Sequence, residues 1–132
     1  MEEPKKKTIL VVEDEEPLQE AIQAKLKALG TYRVLSAFSA EAALGILATE
    51  TPDIVWLDLL LPGMGGFQFL QNLRSTPQWK GLPVMVVSVS GSPEKIQQAF
   101  QLNVVDYVVK SQYRLEDIIK KVDAFMNMGQ KP

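Results

Sequence analysis

Short apolar runs alternate with segments of helical periodicity along the whole chain. The runs are rich in Val, Ile and Leu and are too short for helices, so they predict strands. The predicted strands are 8–12, 33–37, 54–57, 84–87 and 107–109. We therefore expect five strands, each followed by a helix.

The segments between the strands repeat apolar residues every three or four positions, which is typical of amphipathic helices. The predicted helix faces are Leu18, Ile22, Leu26 and Leu29; Ala43, Leu44, Leu47 and Ala48; Phe67, Leu70 and Leu73; Ile96, Ala99 and Phe100; and Leu115, Ile118, Ile119, Val122 and Phe125. Gly30 is placed to end the first helix, Ser39 and Ser92 to cap the second and fourth, and Pro93 to open the fourth.

Strands that are apolar on both faces and alternate with helices predict a parallel sheet covered on both sides, with right-handed crossovers. We find no repeat or long linker, so residues 1–132 are expected to form one domain with a core of about 7–126. The two ends are expected to be frayed.

The composition excludes several kinds of catalytic and metal-binding site. The chain has no Cys and no His, which excludes disulfides, thiolate or imidazole metal sites, Ser-His-Asp catalysis and an internal phosphohistidine. Its formal net charge of −2 gives no indication of binding to nucleic acid or an anionic membrane. No apolar run approaches the ~20 residues of a membrane span, so a cytoplasmic location is expected.

Four of the five predicted strands end at a polar side chain. Glu13 and Asp14 follow the first strand, Asp58 the third, Ser88 the fourth and Lys110 the fifth. Each alone is most simply a solvated strand end. Because the carboxyl ends of parallel strands meet at one edge of the sheet, where ligands bind, the four positions together predict a site.

The residue types at this edge indicate phosphoryl chemistry. Carboxylates that face each other repel unless a cation lies between them, and a small all-oxygen ligand set suits Mg²⁺, with Mn²⁺ as a possible substitute. A carboxylate beside such an ion can attack phosphorus, while a lysine and a hydroxyl stabilise the phosphoryl oxygens.

Four segments resemble the receiver domain of two-component response regulators, and the resemblance spans roughly residues 7–126. The four segments are residues 9–15 (ILVVEDE), 52–67 (PDIVWLDLLLPGMGGF), 83–88 (PVMVVS) and 106–110 (DYVVK). The resemblance implies a flavodoxin-like three-layer sandwich with a five-stranded parallel sheet of order 2-1-3-4-5 and five helices.

The resemblance also implies roles for the acidic residues. Asp58 would be the phosphoacceptor, and Glu13 and Asp14 the acidic pair that holds Mg²⁺ together with Asp58. Leu60 would offer its backbone carbonyl to the same ion. The domain would catalyse its own phosphorylation and dephosphorylation but act mainly as a signalling switch.

Three further residues match the family's phosphate-binding and switching positions. Ser88 corresponds to the switch hydroxyl, Lys110 to the phosphate-contacting lysine, and Tyr107 to the aromatic residue that turns inward on activation. Three positions depart from the family pattern: Ser111 replaces the usual Pro after the lysine, Gly65 stands where an acidic residue is common, and Val105 where Asp is frequent.

The expected partners are a sensor histidine kinase or histidine phosphotransfer protein as phosphoryl donor, and a downstream protein or output domain. The chain could be a stand-alone receiver or part of a longer protein. The main alternative is a receiver-like interaction module that works without phosphorylation. A dehalogenase-type phosphatase is disfavoured because Leu60 occupies the place of its second Asp, and a dinucleotide site because Gln68 replaces the last glycine of that fingerprint.

Overall fold

The computed structural model describes residues 6–128, which form five strands, five α-helices and one 3₁₀ turn. The strands are β1 (Lys7–Val12), β2 (Tyr32–Ala37), β3 (Ile54–Leu57), β4 (Val84–Ser88) and β5 (Asp106–Val109). The helices are α1 (Glu16–Ala28), α2 (Ala40–Leu47), α3 (Gly66–Ser75), α4 (Pro93–Gln101) and α5 (Leu115–Met128), and the 3₁₀ turn is Lys110–Gln112. The expectation of frayed ends concerns residues outside the described range.

The strands form one parallel sheet in the order β2-β1-β3-β4-β5, which confirms the predicted architecture. Leu57 lies opposite Val12 on one side and Val86 on the other. The register therefore brings the residues that follow β1 and β3 side by side at the same edge of the sheet.

The central strands are buried on both faces because helices cover both sides of the sheet. In β1, Leu10 and Val12 pack into the cluster that contains α2 and α3, whereas Ile9 and Val11 pack into the cluster that contains α1 and α5. These four side chains are fully buried. This arrangement explains why the strands read as continuous apolar runs rather than as alternating ones.

The predicted helix boundaries are largely confirmed. The hydroxyls of Ser39 and Ser92 accept the amides of Ala42 and Lys95, as N-caps do. Gly30, with φ of 75°, follows the end of α1 in the left-handed conformation that a residue with a side chain rarely adopts.

Three residues assigned to buried helix faces lie at the surface. Leu29 is 48% exposed and Phe100 46% exposed, and Ala48 is exposed at the end of α2. Leu29 and Ala48 are C-cap residues, where the helical spacing no longer determines direction. Phe100 is exposed because α4 buries only Ala99 fully against the sheet.

Several core residues are not among the residues of the predicted strands and helix faces, and two of them are large side chains in helices. Phe69 is fully buried in α3, and Met126 is 6% exposed in α5. Both lie on helix faces that the sequence identified, one turn from predicted positions. No helix in the described range is long and apolar enough to span a membrane.

Arg74, at the end of α3, connects three parts of the chain. Its guanidinium donates to the carbonyls of Leu102 at 2.7 Å, Leu82 at 2.8 Å and Lys80 at 3.1 Å, and to that of Asn103 at 3.3 Å. Because the five donors of an arginine form a rigid planar fork, one side chain fixes both the loop before β4 and the turn after α4. Burial lowers the pKa of Arg74.

Gly66 permits a close approach between the start of α3 and the segment that follows β3. A Cβ atom at this position would lie 2.4 Å from the Cα atom of Leu59 and 2.6 Å from the carbonyl oxygen of Asp58. These are backbone atoms, which cannot move without displacing the loop that carries Asp58.

We predict that Gly66→Ala lowers the free energy of unfolding by about 2–3 kcal/mol, because the added methyl group overlaps backbone. The control is Gly45→Ala within α2, where a Cβ atom meets nothing within 4 Å. This control should be neutral or stabilise by up to about 1 kcal/mol, since Ala favours helix over Gly. Urea unfolding measures both variants, and equal effects would contradict the close approach.

Candidate functional site

Three carboxylates meet at the carboxyl edge of the sheet, as the sequence predicted. Glu13 and Asp14 follow β1, Asp58 follows β3, and one oxygen of each lies within 4.8 Å of the others. Glu13 is 1% exposed and Asp58 5% exposed, whereas Asp14 is exposed to solvent. Two buried negative charges at this spacing require a counter-ion.

Lys110 supplies a positive charge between the two buried carboxylates. Its Nζ atom lies 2.6 Å from Oε1 of Glu13 and 3.2 Å from Oδ2 of Asp58, and its side chain is 16% exposed. Lys110 directly follows β5, the edge strand, so its aliphatic stem crosses the end of β4 to reach β1 and β3. The sequence-predicted lysine therefore joins the cluster directly.

The electrostatics of the cluster follow from burial and charge. Burial raises the pKa of Glu13, which the hydrogen bond from Lys110 opposes and the charge of Asp58 reinforces. Burial acts to lower the pKa of Lys110, but its hydrogen bond to Glu13 and the charge of Asp58 outweigh burial and raise that pKa. Lys110 thus remains protonated and partly neutralises the acidic pair.

Gln19, in α1, holds the backbone from which the acidic cluster extends. It was not identified from the sequence. Its side chain is fully buried, and Nε2 lies 3.1 Å from the carbonyls of Glu13 and Ala37 and 3.3 Å from that of Val11. These contacts fix the ends of β1 and β2 where the acidic residues begin. A polar residue within the apolar face of α1 was the available signal.

The loop between β3 and α3 is held by two carboxylates. The Leu60 amide donates to Oδ1 of Asp58 at 3.0 Å, and the Met64 amide donates to Oε2 of Glu41 at 3.2 Å. The Leu60 side chain itself is 46% exposed. Glu41 was also missed, since nothing in the sequence relates α2 to this loop.

Ser88 and Tyr107 lie beside the cluster and contact a neighbouring loop. Ser88 is fully buried, and its hydroxyl accepts the Ser90 amide at 3.5 Å. The half-buried Tyr107 donates its hydroxyl to the Ser90 carbonyl at 2.7 Å. Burial raises the pKa of Tyr107. Within the described residues, neither hydroxyl forms a hydrogen bond to Glu13, Asp14 or Asp58.

The donor set fits a hard divalent cation. Three carboxylate oxygens converge without any nitrogen or sulfur ligand, and such sets prefer Mg²⁺ or related ions. One acidic side chain is open to solvent, which gives an ion a route of entry. A bound cation would relieve the same repulsion that Lys110 now relieves in part.

Known proteins are similar to this chain in sequence and fold. The family described as the response regulator receiver domain matches residues 9–123. The phosphate regulon transcriptional regulatory protein PhoB of Pseudomonas aeruginosa is 30% identical over 104 residues, which cover 79% of this chain and 45% of that protein. The chain thus spans less than half the length of this curated relative.

Two solved structures show the same architecture. The phosphorylated cyanobacterial phytochrome response regulator RcpA is 28% identical, with a TM-score of 0.77 and coverage of 92% of each chain. The Mn²⁺-bound response regulator Rcp1 is 27% identical, with the same TM-score and coverage. From the family match, the strand order and the acidic cluster together, we conclude that the chain belongs to the response regulator receiver domain family.

Proposed function

We propose that Asp58 accepts a phosphoryl group from a phosphohistidine on another protein in a Mg²⁺-dependent reaction. The observation that carries this proposal is the ammonium group of Lys110, which lies between the buried carboxylates of Glu13 and Asp58. A cation, a nucleophilic carboxylate and a second acidic group are thereby concentrated at one partly open edge. Family membership supports the same reaction type.

We propose that Glu13, Asp14, Asp58 and the backbone carbonyl of Leu60 hold the metal, directly or through water. When bound, Mg²⁺ would neutralise charge on the phosphoryl oxygens. Mn²⁺ would suit the same site because the ligand set is entirely oxygen, and the similar response regulator Rcp1 has been solved in an Mn²⁺-bound form.

In the proposed reaction, a carboxylate oxygen of Asp58 attacks phosphorus. The new O–P bond forms as the N–P bond of the donor breaks, and the imidazole of the donor retains the bonding electrons and later takes up a proton. Lys110 already contacts the carboxylate of Asp58, so its charge is in place to stabilise the incoming phosphoryl oxygens. The Leu60 amide orients the other carboxylate oxygen.

We propose that Ser88 and Tyr107 transmit the change in charge at Asp58. Phosphorylation adds about −1.5 to −2 charges, and the Ser88 hydroxyl would turn to donate to the new phosphoryl oxygens. That rotation removes the acceptor of the Ser90 amide, and the Ser90 carbonyl in turn is bonded to Tyr107. The loop between β4 and α4 would therefore respond first.

The donor is proposed to be a sensor histidine kinase or a histidine phosphotransfer protein, since this chain has no histidine. The recipient of the signal is proposed to be a downstream protein or an output domain, and we place the reaction in the cytoplasm, as expected from the sequence.

We predict that incubation with acetyl phosphate adds one phosphoryl group to the native chain when Mg²⁺ is present. Addition should fail without Mg²⁺ and in Asp58→Asn, because the amide is a poor nucleophile and one metal ligand loses its charge. Intact-protein mass spectrometry measures the adduct. Equal addition to Asp58→Asn would refute the assigned site, and no addition to the native chain under any condition would favour the interaction module that works without phosphorylation.

We predict that Lys110→Met binds Mg²⁺ more tightly, by roughly three- to tenfold, because the ammonium and the metal compete for the same carboxylates. The same variant should take up phosphoryl groups more slowly, since a positive charge near the phosphoryl oxygens is lost. Titration followed by tryptophan fluorescence measures the affinity. Of the two tryptophans, Trp56 is buried two residues before Asp58.

The control for this experiment is Lys27→Met, which removes an exposed lysine from the far end of α1. It should leave both properties unchanged. Weaker Mg²⁺ binding in Lys110→Met would show that the lysine does not compete with the metal.

We predict that Ser88→Ala reduces the phosphorylation-induced change in the Ser90 amide chemical shift to less than half of the native change. The expected cause is the loss of the Ser88 hydroxyl, which would exchange the Ser90 amide for a phosphoryl oxygen as its hydrogen-bond partner. Nitrogen–proton correlation spectra with and without phosphorylation measure the shift, and Ser75→Ala, an exposed hydroxyl on α3, is the control. An undiminished shift at Ser90 in Ser88→Ala would rule out this route.

A further inference from the structure

The loop between β3 and α3 carries the backbone carbonyl of Leu60, so its conformation determines whether that carbonyl faces the acidic pocket. Two of its residues, Gly63 and Gly65, have φ of 70° and 81°. Gly65 is also the N-cap of α3 and offers no side chain to the amides of the helix. Within the loop, the Gly66 amide donates to the Leu59 carbonyl at 3.1 Å. The turn at Gly63 and Met64 lies between these two residues and is held by a hydrogen bond from outside the loop.

Glu41 provides such a hydrogen bond from a different part of the chain. It lies in the first turn of α2, 23 residues before Met64, and its Oε2 atom accepts the Met64 amide at 3.2 Å. A Cβ atom at Gly63 would lie 3.0 Å from the same oxygen. The carboxylate thus rests directly against the turn of the loop.

The two carboxylates that hold the loop differ in one respect. Asp58 accepts the Leu60 amide, but its oxygens are also the proposed nucleophile and metal ligands. Glu41 lies outside the cluster of three acidic residues and has no part in the proposed chemistry. Its hydrogen bond can therefore persist in every state of Asp58.

We propose that Glu41 is a positioning residue: its carboxylate holds the Met64 amide and thereby keeps the loop in the conformation that presents the Leu60 carbonyl to a divalent cation. This inference rests on the proposed metal-dependent phosphorylation of Asp58. It assigns to α2, which follows the edge strand β2, a role in metal affinity.

A simpler role for Glu41 is stabilisation of its own helix, because acidic residues favour the first turn. The chain contains a matched residue that tests this role. Glu94 occupies the same position in α4, second after the N-cap Ser92, and is likewise exposed. Within the described residues, its side chain forms no hydrogen bond.

The experiment compares Glu41→Ala, Glu41→Gln and Glu94→Ala in two measurements. The first is hydrogen exchange of the Met64 amide by NMR in the absence of metal. The second is the Mg²⁺ dissociation constant from fluorescence titration. The exchange measurement requires neither metal nor phosphorylation, so it reports on the loop alone.

We expect Glu41→Ala to accelerate Met64 exchange and to weaken Mg²⁺ binding, each by roughly fivefold, the effect of losing one charge-assisted hydrogen bond. Glu41→Gln retains an oxygen acceptor and should recover most of both properties. Glu94→Ala should match the native chain in both.

Three results would overturn the positioning role: native values in Glu41→Ala, losses in Glu41→Gln as large as those in Glu41→Ala, or equal losses in Glu94→Ala. Losses in Glu41→Gln would show that the negative charge, not the hydrogen-bond acceptor, causes the effect on exchange and Mg²⁺ binding. Equal losses in Glu94→Ala would show that net charge or helix stability causes it. Failure of the native chain to bind Mg²⁺ would instead contradict the proposed function, which distinguishes the two failures.

Discussion

The site depends on the contact of one ammonium group with two buried carboxylates. Lys110 lies 97 residues from Glu13 and 52 residues from Asp58 along the chain, and only the folded sheet brings them together. Without the lysine, two nearly inaccessible carboxyl groups would face each other, and at least one would be driven towards its neutral form. In the proposed reaction, the same ammonium group would contact the incoming phosphoryl oxygens.

The geometry around this contact divides into rigid and adjustable parts. Glu13, Asp58 and Ser88 follow or end strands whose side chains are almost completely buried, so their backbone positions are fixed by the core. Asp14 and Leu60 lie in exposed loops that depend on individual hydrogen bonds. Gln19 and Glu41 supply those bonds from two helices, one from inside the core and one from the surface.

The sequence predicted the strands, most helix boundaries and the acidic cluster, because each depends on local patterning and on the rule that parallel strands end at one edge. It could not predict the exposure of Phe100, since helical spacing identifies a face but not how closely the helix packs. It could not predict the contact of Glu41 with Met64, which depends on the distance in space between the first turn of α2 and the loop after β3. Strand order came from the family resemblance, because periodicity alone does not order strands.

The hydrogen bonds of Arg74 also have a geometric consequence for α4. They attach Leu102 and Asn103, at the carboxyl end of α4, to the end of α3. At the other end, Pro93 follows an exposed connection that begins beyond Ser90. If α4 moves as a rigid helix and keeps its hydrogen bonds to Arg74, the movement is a rotation about the last turn of α4. Over about 12 Å of helix, a rotation of roughly 10° would move Pro93 by about 2 Å while leaving the base of the helix in place.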